Sequence, residues 1–395
     1  MRIWIIGLLI ACGGLALGAV PTSTSTPDVN TSHLEYVTHV EKGFISLFHG
    51  DNASATAAFE AALAIEPDHY EIHHYLGIAY AESEFANKAV EAYLRSLALV
   101  PDNIEALYSL GVAYYNLGDW EKALENLSRV VALSPQYARA YYMLGRAQLK
   151  LRDFSGAASA LTKAAELTPD AAVVYHELGT AYLSLEKYQE AIPHFKKATE
   201  LAPYYSKPYH GLGTAQMRLG KREEGRASML RFQQLEKDAA EHERLSRLTH
   251  NEPDNIEGWA GLAKLLMQQR RYAEAVPAFQ KCIELDSNNA SFYHGLSQAF
   301  INLGYPAPAR EAVIKAIRLM PRESILYNTL GSTFAMQGDT QNAIMAFQKA
   351  VELAPEVPYY HLNLAKLYEQ IGQYQLAREH YEQYEHFKQG LGVRD

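Results

Sequence analysis

Proline recurs in this 395-residue chain on a single ladder. Pro67, Pro101, Pro135, Pro169 and Pro203 stand 34 residues apart, as do Pro321 and Pro355, with Pro253 two periods before Pro321. Eight of the 16 prolines obey this spacing, and one phase break falls between residues 203 and 253. A fixed period of this size belongs to stacked copies of one supersecondary unit, because a single unit cannot bury its own apolar face.

Placing the prolines at repeat position 32 aligns ten copies, which begin at Tyr36, Tyr70, Ile104, Ala138, Ala172, Ser206, Ile256, Ala290, Ser324 and Pro358. Position 7 is leucine in nine copies, Leu76, Leu110, Leu144 and Leu178 among them. Position 8 is always small, as in Gly77, Gly145, Gly179, Ala263 and Ser297. Position 20 is alanine except at Gly225, and position 24 is apolar or aromatic, as in Phe59, Leu127 and Phe195. Positions 4, 7, 8 and 11 share one face of a first helix, and positions 20, 24 and 27 share one face of a second. Small residues at 8 and 20 let the two backbones approach. Gly118-Asp119 and Gly338-Asp339 break the chain between helices, and the proline at 32 stops the second. The expectation is an all-α solenoid of about ten helix-turn-helix repeats.

The segments Tyr141-Tyr-Met-Leu-Gly145, Tyr175-His-Glu-Leu-Gly179 and Tyr327-Asn-Thr-Leu-Gly331 resemble the first helices of tetratricopeptide repeats. Alanine at position 20, an apolar residue at 24 and proline at 32 follow in phase, over residues 36–389. The first copy departs from the pattern at Lys42 and Ser46, which makes its first helix a worn cap. Residues 36–237 hold six repeats and 256–389 hold four. Between them Leu245 and Leu248 fall on positions 24 and 27, so residues 238–255 read as a lone capping or bridging helix. Residues 390–395 form a tail.

Residues 1–20 have one cation, Arg2, then an uncharged apolar run from Ile3 to Val20. This reads as a secretory signal, an uncleaved anchor, or a lipoprotein signal in which Leu9-Ile10-Ala11-Cys12 places lipid on Cys12, with the plain signal favoured. Ser, Thr and Pro then dominate residues 21–35, a solvated tether. All three readings put the body of the protein outside the cytoplasm, periplasmic, secreted or held at a membrane through its N-terminus alone.

With 48% apolar and 21% charged residues the chain is neither a disordered tail nor a multi-span membrane protein. Its net charge of −9 argues against nucleic acid as a partner. No phosphate-cradling loop, nucleophile elbow or His-Glu-x-x-His pair is present, so neither catalysis nor a cofactor is expected. Cys282 occupies position 27, where other copies carry alanine, and reads as a small buried thiol. His74, His176, His210 and His294 all fall on position 5, but no Cys or Asp joins them at zinc-ligand spacing.

Charge is uneven along the array. Residues 36–137 carry a net −9, residues 138–240 a net +4, and residues 241–395 a net −3. The family resemblance implies that positions 2, 5, 9, 12 and 13 line a concave peptide groove. Carried onto this chain, that groove presents Arg139 and Lys207 at position 2, Tyr108, Tyr142, His176 and His210 at 5, Arg146 at 9, and Asn116, Lys150 and Arg218 at 13. The paired Lys and Asn of chaperone-tail clamps are not reproduced. The implied function is a non-catalytic extracytoplasmic scaffold that holds a protein or peptide with an acidic segment. The alternatives are a lipoprotein assembly factor for a pilus or polysaccharide-secretion machine and, behind it, a subunit of an enzyme complex.

Overall fold

The computed structural model describes residues 28–390. The expected signal or anchor at residues 1–20, Cys12 and most of the expected tether therefore lie outside the described residues, as do residues 391–395 of the tail. Twenty α-helices, and no strand among the described residues, follow one another as hairpins. In the first unit, which ends at Gln233, they are α1 (Asp28–His49), α2 (Asn52–Ile65), α3 (Tyr70–Glu82), α4 (Ala86–Leu99), α5 (Ile104–Leu117), α6 (Trp120–Leu133), α7 (Ala138–Lys150), α8 (Phe154–Leu167), α9 (Ala172–Ser184), α10 (Tyr188–Leu201) and α11 (Ser206–Arg218). The second unit begins at Gln234, inside α12 (Arg222–Asn251). It continues with α13 (Ile256–Gln268), α14 (Tyr272–Leu285), α15 (Ala290–Asn302), α16 (Pro306–Leu319), α17 (Ser324–Met336), α18 (Thr340–Leu353), α19 (Pro358–Gln370) and α20 (Tyr374–Gly390).

The periodic residues do what their spacing predicts. Phe59, Leu110, Leu127, Leu161, Leu178, Phe195 and Leu364 are among the large side chains most completely removed from water. Each hairpin turns at position 15, where the backbone is left-handed in every copy: Gly118 has φ 83° and Gly338 φ 74°. The next residue caps the second helix where it is aspartate. Asp51, Asp119, Asp153 and Asp339 accept hydrogen bonds from the amides of Ser54, Lys122, Gly156 and Asn342, each cap contributing about 1 kcal/mol. Position 4 carries a second device. His73, Tyr209, Trp259, Tyr327 and His361 each reach the carbonyl of the proline six residues earlier, at 2.8–3.3 Å. Part of the tyrosine and histidine excess thus ties a first helix to the preceding helix stop in four copies, and Trp259 does so in a fifth.

Three boundaries differ from the sequence expectation. The helix α1 begins at Asp28, so residues 28–35, expected in the tether, are helical. The first copy forms a full hairpin despite Lys42 and Ser46, because Tyr36, Gly43 and Phe44 are buried while Lys42 stays in solvent. The lone helix expected at 238–255 is the distal part of one 30-residue helix, α12. No proline or glycine lies between Gly225 and His250, so nothing stops a helix once formed. In the first unit, Met229 of α12 packs at Gly213; in the second, Leu245 and Leu248 pack at Gly261 and Gly258. Cys282 is fully buried, and burial pushes its thiol up to about 11. It is a packing residue.

Candidate functional site

First helices of successive repeats lie side by side, and position 5 of one meets position 6 of the next. His74 Nε2 is 3.1 Å from Ser109 Oγ, His294 Nε2 is 3.0 Å from Thr329 Oγ1, and Asn363 donates to Asn328 at 2.8 Å. In the middle of the first unit this row changes character. Position 5 there holds Tyr142 and His176, and the facing position 6 holds Glu177 and Gly211.

Arg146 of α7 is the centre of the changed region. Its guanidinium lies 4.7 Å from the ring centre of Tyr115 and 5.5 Å from that of Tyr142, so aromatic faces from α5 and α7 hold it by cation–π attraction. Its Nε stands 3.8 Å from Glu177 Oε1 on α9, an ion pair too long to be a hydrogen bond. Both side chains are partly sheltered, Arg146 at 32% and Glu177 at 23% exposure. Burial holds the Glu177 carboxyl above the usual carboxylate range, while Arg146, Lys207 and Lys150 pull it back down. The charges of three cations thus act on one carboxylate.

Aromatic groups wall this cluster. Tyr205, at the N-cap of α11, packs edge-on against His176 at 5.2 Å. Its hydroxyl is pushed up to about 12, first by burial and then by Glu177 and Tyr142. Burial, with help from Lys207, drives the His176 imidazole down to about 4. His176 Nδ1 is buried without a hydrogen-bond partner, and Gly211 stands where Ser109 and Thr329 offer hydroxyls to Nε2 of the equivalent His74 and His294. At the neighbouring junction Tyr108 packs on Tyr137 at 5.2 Å, Tyr137 donates to Glu105 at 3.0 Å, and the charge of Arg139 bears on both rings.

The structure therefore brings together Tyr142, Arg146, Lys150, His176 and Lys207 of the expected residues, around Glu177. Tyr108 and Arg139 form an adjoining patch. Asn116 is exposed near the end of α5 and Arg218 in the last turn of α11, and exposed His210 packs on Phe232 of α12 at 5.1 Å. The sequence reading missed Glu177, Tyr115, Tyr137 and Tyr205. Tyr115 sits on groove position 12 and was accessible by spacing, whereas position 6, which holds Glu177, follows no common residue type. Among the described residues no three His, Cys, Asp or Glu side chains converge as metal ligands, and no helix is long and apolar enough to cross a membrane.

Tetratricopeptide repeat family models match residues 108–172 and 142–206, 322–385, 86–118 and 256–289. The chain belongs to the tetratricopeptide repeat family, and its repeats make it a protein-binding scaffold. A search of the curated proteins finds no match. Among solved structures, a crystal structure of MamA protein is 28% identical, with the match covering 44% of this chain and 96% of that one at a TM-score of 0.42. Residues 41 to the end of MamA from Desulfovibrio magneticus RS-1 are 26% identical, covering 43% and 97%, also at 0.42.

Proposed function

We propose that this protein is a non-catalytic scaffold working outside the cytoplasm, and that the first helices of its third to sixth repeats hold an acidic segment of a partner protein. One observation carries the reading: Arg146 is held against two tyrosine rings, and the charges of Lys150 and Lys207 act with it on a single carboxylate, leaving a local surplus of positive charge. A stacked guanidinium loses little freedom when it meets a carboxylate, and flanking lysines raise the encounter rate. The apolar run from Ile3 to Val20 supports export, and Cys12 supports lipid anchoring as a variant of it.

The test uses fluorescein-labelled hexaglutamate with hexalysine as the control, followed by anisotropy. The acidic probe binds the mature chain, binding weakens with added salt, and an Arg146→Glu, Arg218→Glu double variant loses it while keeping its helicity. Equal binding by wild type and variant at low salt overturns the groove assignment. Intact mass of the N-terminus from the native envelope decides location: an unprocessed chain purified from cytoplasm overturns export, and a diacyl-modified Cys12 selects the lipoprotein form.

A further inference from the structure

Tyr115 and Tyr142 both lie against the Arg146 guanidinium, at 4.7 and 5.5 Å from ring centre to guanidinium carbon, so two rings narrow the approach of an incoming carboxylate. Part of the guanidinium edge is already addressed. Nε faces Glu177 at 3.8 Å and Nη1 faces Met143 Sδ at 3.8 Å. Glu177 is close enough to neutralise Arg146 and too far to be locked to it, so its hold is electrostatic and displaceable. Of the ten copies only the first shares a carboxylate at position 6, Glu41, and there position 9 holds Phe44 in place of an arginine. Lys150 and Lys207 act on the same carboxylate from α7 and α11.

We propose that Glu177 is a built-in competitor that sets how acidic a partner segment must be, an inference that rests on the groove reading above. A ligand carboxylate reaching Arg146 takes the place of Glu177, and further ligand carboxylates must meet Lys150 and Lys207 to offset the repulsion from it. A segment with several carboxylates then binds, and one with a single carboxylate binds more weakly. Specificity of this kind comes from a repulsive element as much as from an attractive one.

Two labelled probes test this: hexaglutamate, and hexaserine with a free C-terminal carboxylate. Glu177→Gln keeps the side-chain shape and removes the charge. It should tighten hexaserine about fivefold, the effect of deleting one like charge at roughly contact distance in a water-like dielectric, and hexaglutamate by less, so that the preference for the acidic probe narrows. Arg146→Gln should weaken hexaglutamate, and the Arg146→Gln, Glu177→Gln double variant should show less gain from the glutamate change than wild type does. Glu177→Ala repeats the test should the glutamine variant lose helicity. Unchanged or weaker binding by both Glu177 variants, with Arg146→Gln still damaging, overturns the competitor role and leaves the groove standing. Hexaglutamate binding that is indifferent to Arg146→Gln overturns the groove reading itself.

Discussion

The ring of Phe195 lies against the backbone at Gly179: a Cβ built on that glycine would stand 2.8 Å from ring atom Cδ1. The ring is fully buried, and Gly211 approaches it as closely at its Cζ end. Glycine is required here by close approach, since φ at this position is that of an ordinary helix. Gly179→Ala should therefore cost about 1–3 kcal/mol through overpacking. Guanidinium unfolding followed by far-UV circular dichroism measures it, and a midpoint equal to wild type rejects the account.

Leu178, one residue earlier and 1% exposed, faces the core shared by α8 and α9. Truncation to alanine should cost about 2–5 kcal/mol. Leu178→Asp should cost more, because an unpaired charge is added to the lost packing. The pair gives an ordering, wild type above alanine above aspartate, and thermal melts that fail to reproduce it would place Leu178 outside the repeat core.

Every hairpin turn uses a left-handed residue at position 15, and four copies lack the glycine that suits it. Glu84, Arg152, Glu186 and Arg270 have φ of 63°, 62°, 60° and 56°. A side chain in this region costs roughly 1–2 kcal/mol, and glycine's greater freedom when unfolded returns part of that. Each change to glycine should raise stability by up to about 1 kcal/mol, and Gly118→Ala should lower it by a similar amount. The four sites lie in different repeats, so their effects should add. Differential scanning calorimetry of the quadruple variant reads the sum, and a lower melting temperature contradicts it.

The architecture was legible because ten copies repeat the same burial problem and solve it with the same leucines, glycines and prolines. Legibility ended where copies differ. Glu84 and Arg152 give no local sign of positive φ; only their alignment with Gly118 does. The helix α12 escaped because phase requires a second helix of the sixth repeat and a capping helix, while the chain between them offers nothing to separate the two. In the groove, Tyr142, Arg146 and His176 stand where alignment puts them. Glu177 could not be singled out, because position 6 varies from Ser109 to Met143 to Gly211 and its significance depends on contact with Arg146, 31 residues away in sequence. Tyr137 and Tyr205 follow the helix-stopping prolines, in positions that read as turn.

Acid stability offers the last test, through His74 and His176. Burial drives both imidazoles down to about 4, against about 6.5 in an unfolded chain. The folded protein therefore binds fewer protons than the unfolded one between those values. The stability linked to each histidine is fully present above pH ~6.5 and is lost as pH falls toward ~4, by about 2–3 kcal/mol each. Glu177 works the other way: its raised pKa favours the folded state as pH falls from its native value to the ordinary glutamate range, which offsets part of the histidine loss. Replacing His74 and His176 with glutamine removes both titrations and keeps a polar side chain, including one able to reach Ser109. The double variant should unfold at lower pH than wild type when helicity is followed down an acid titration. A midpoint that does not move, or moves upward, would mean that protonation of these two buried rings does not drive acid unfolding of the first unit.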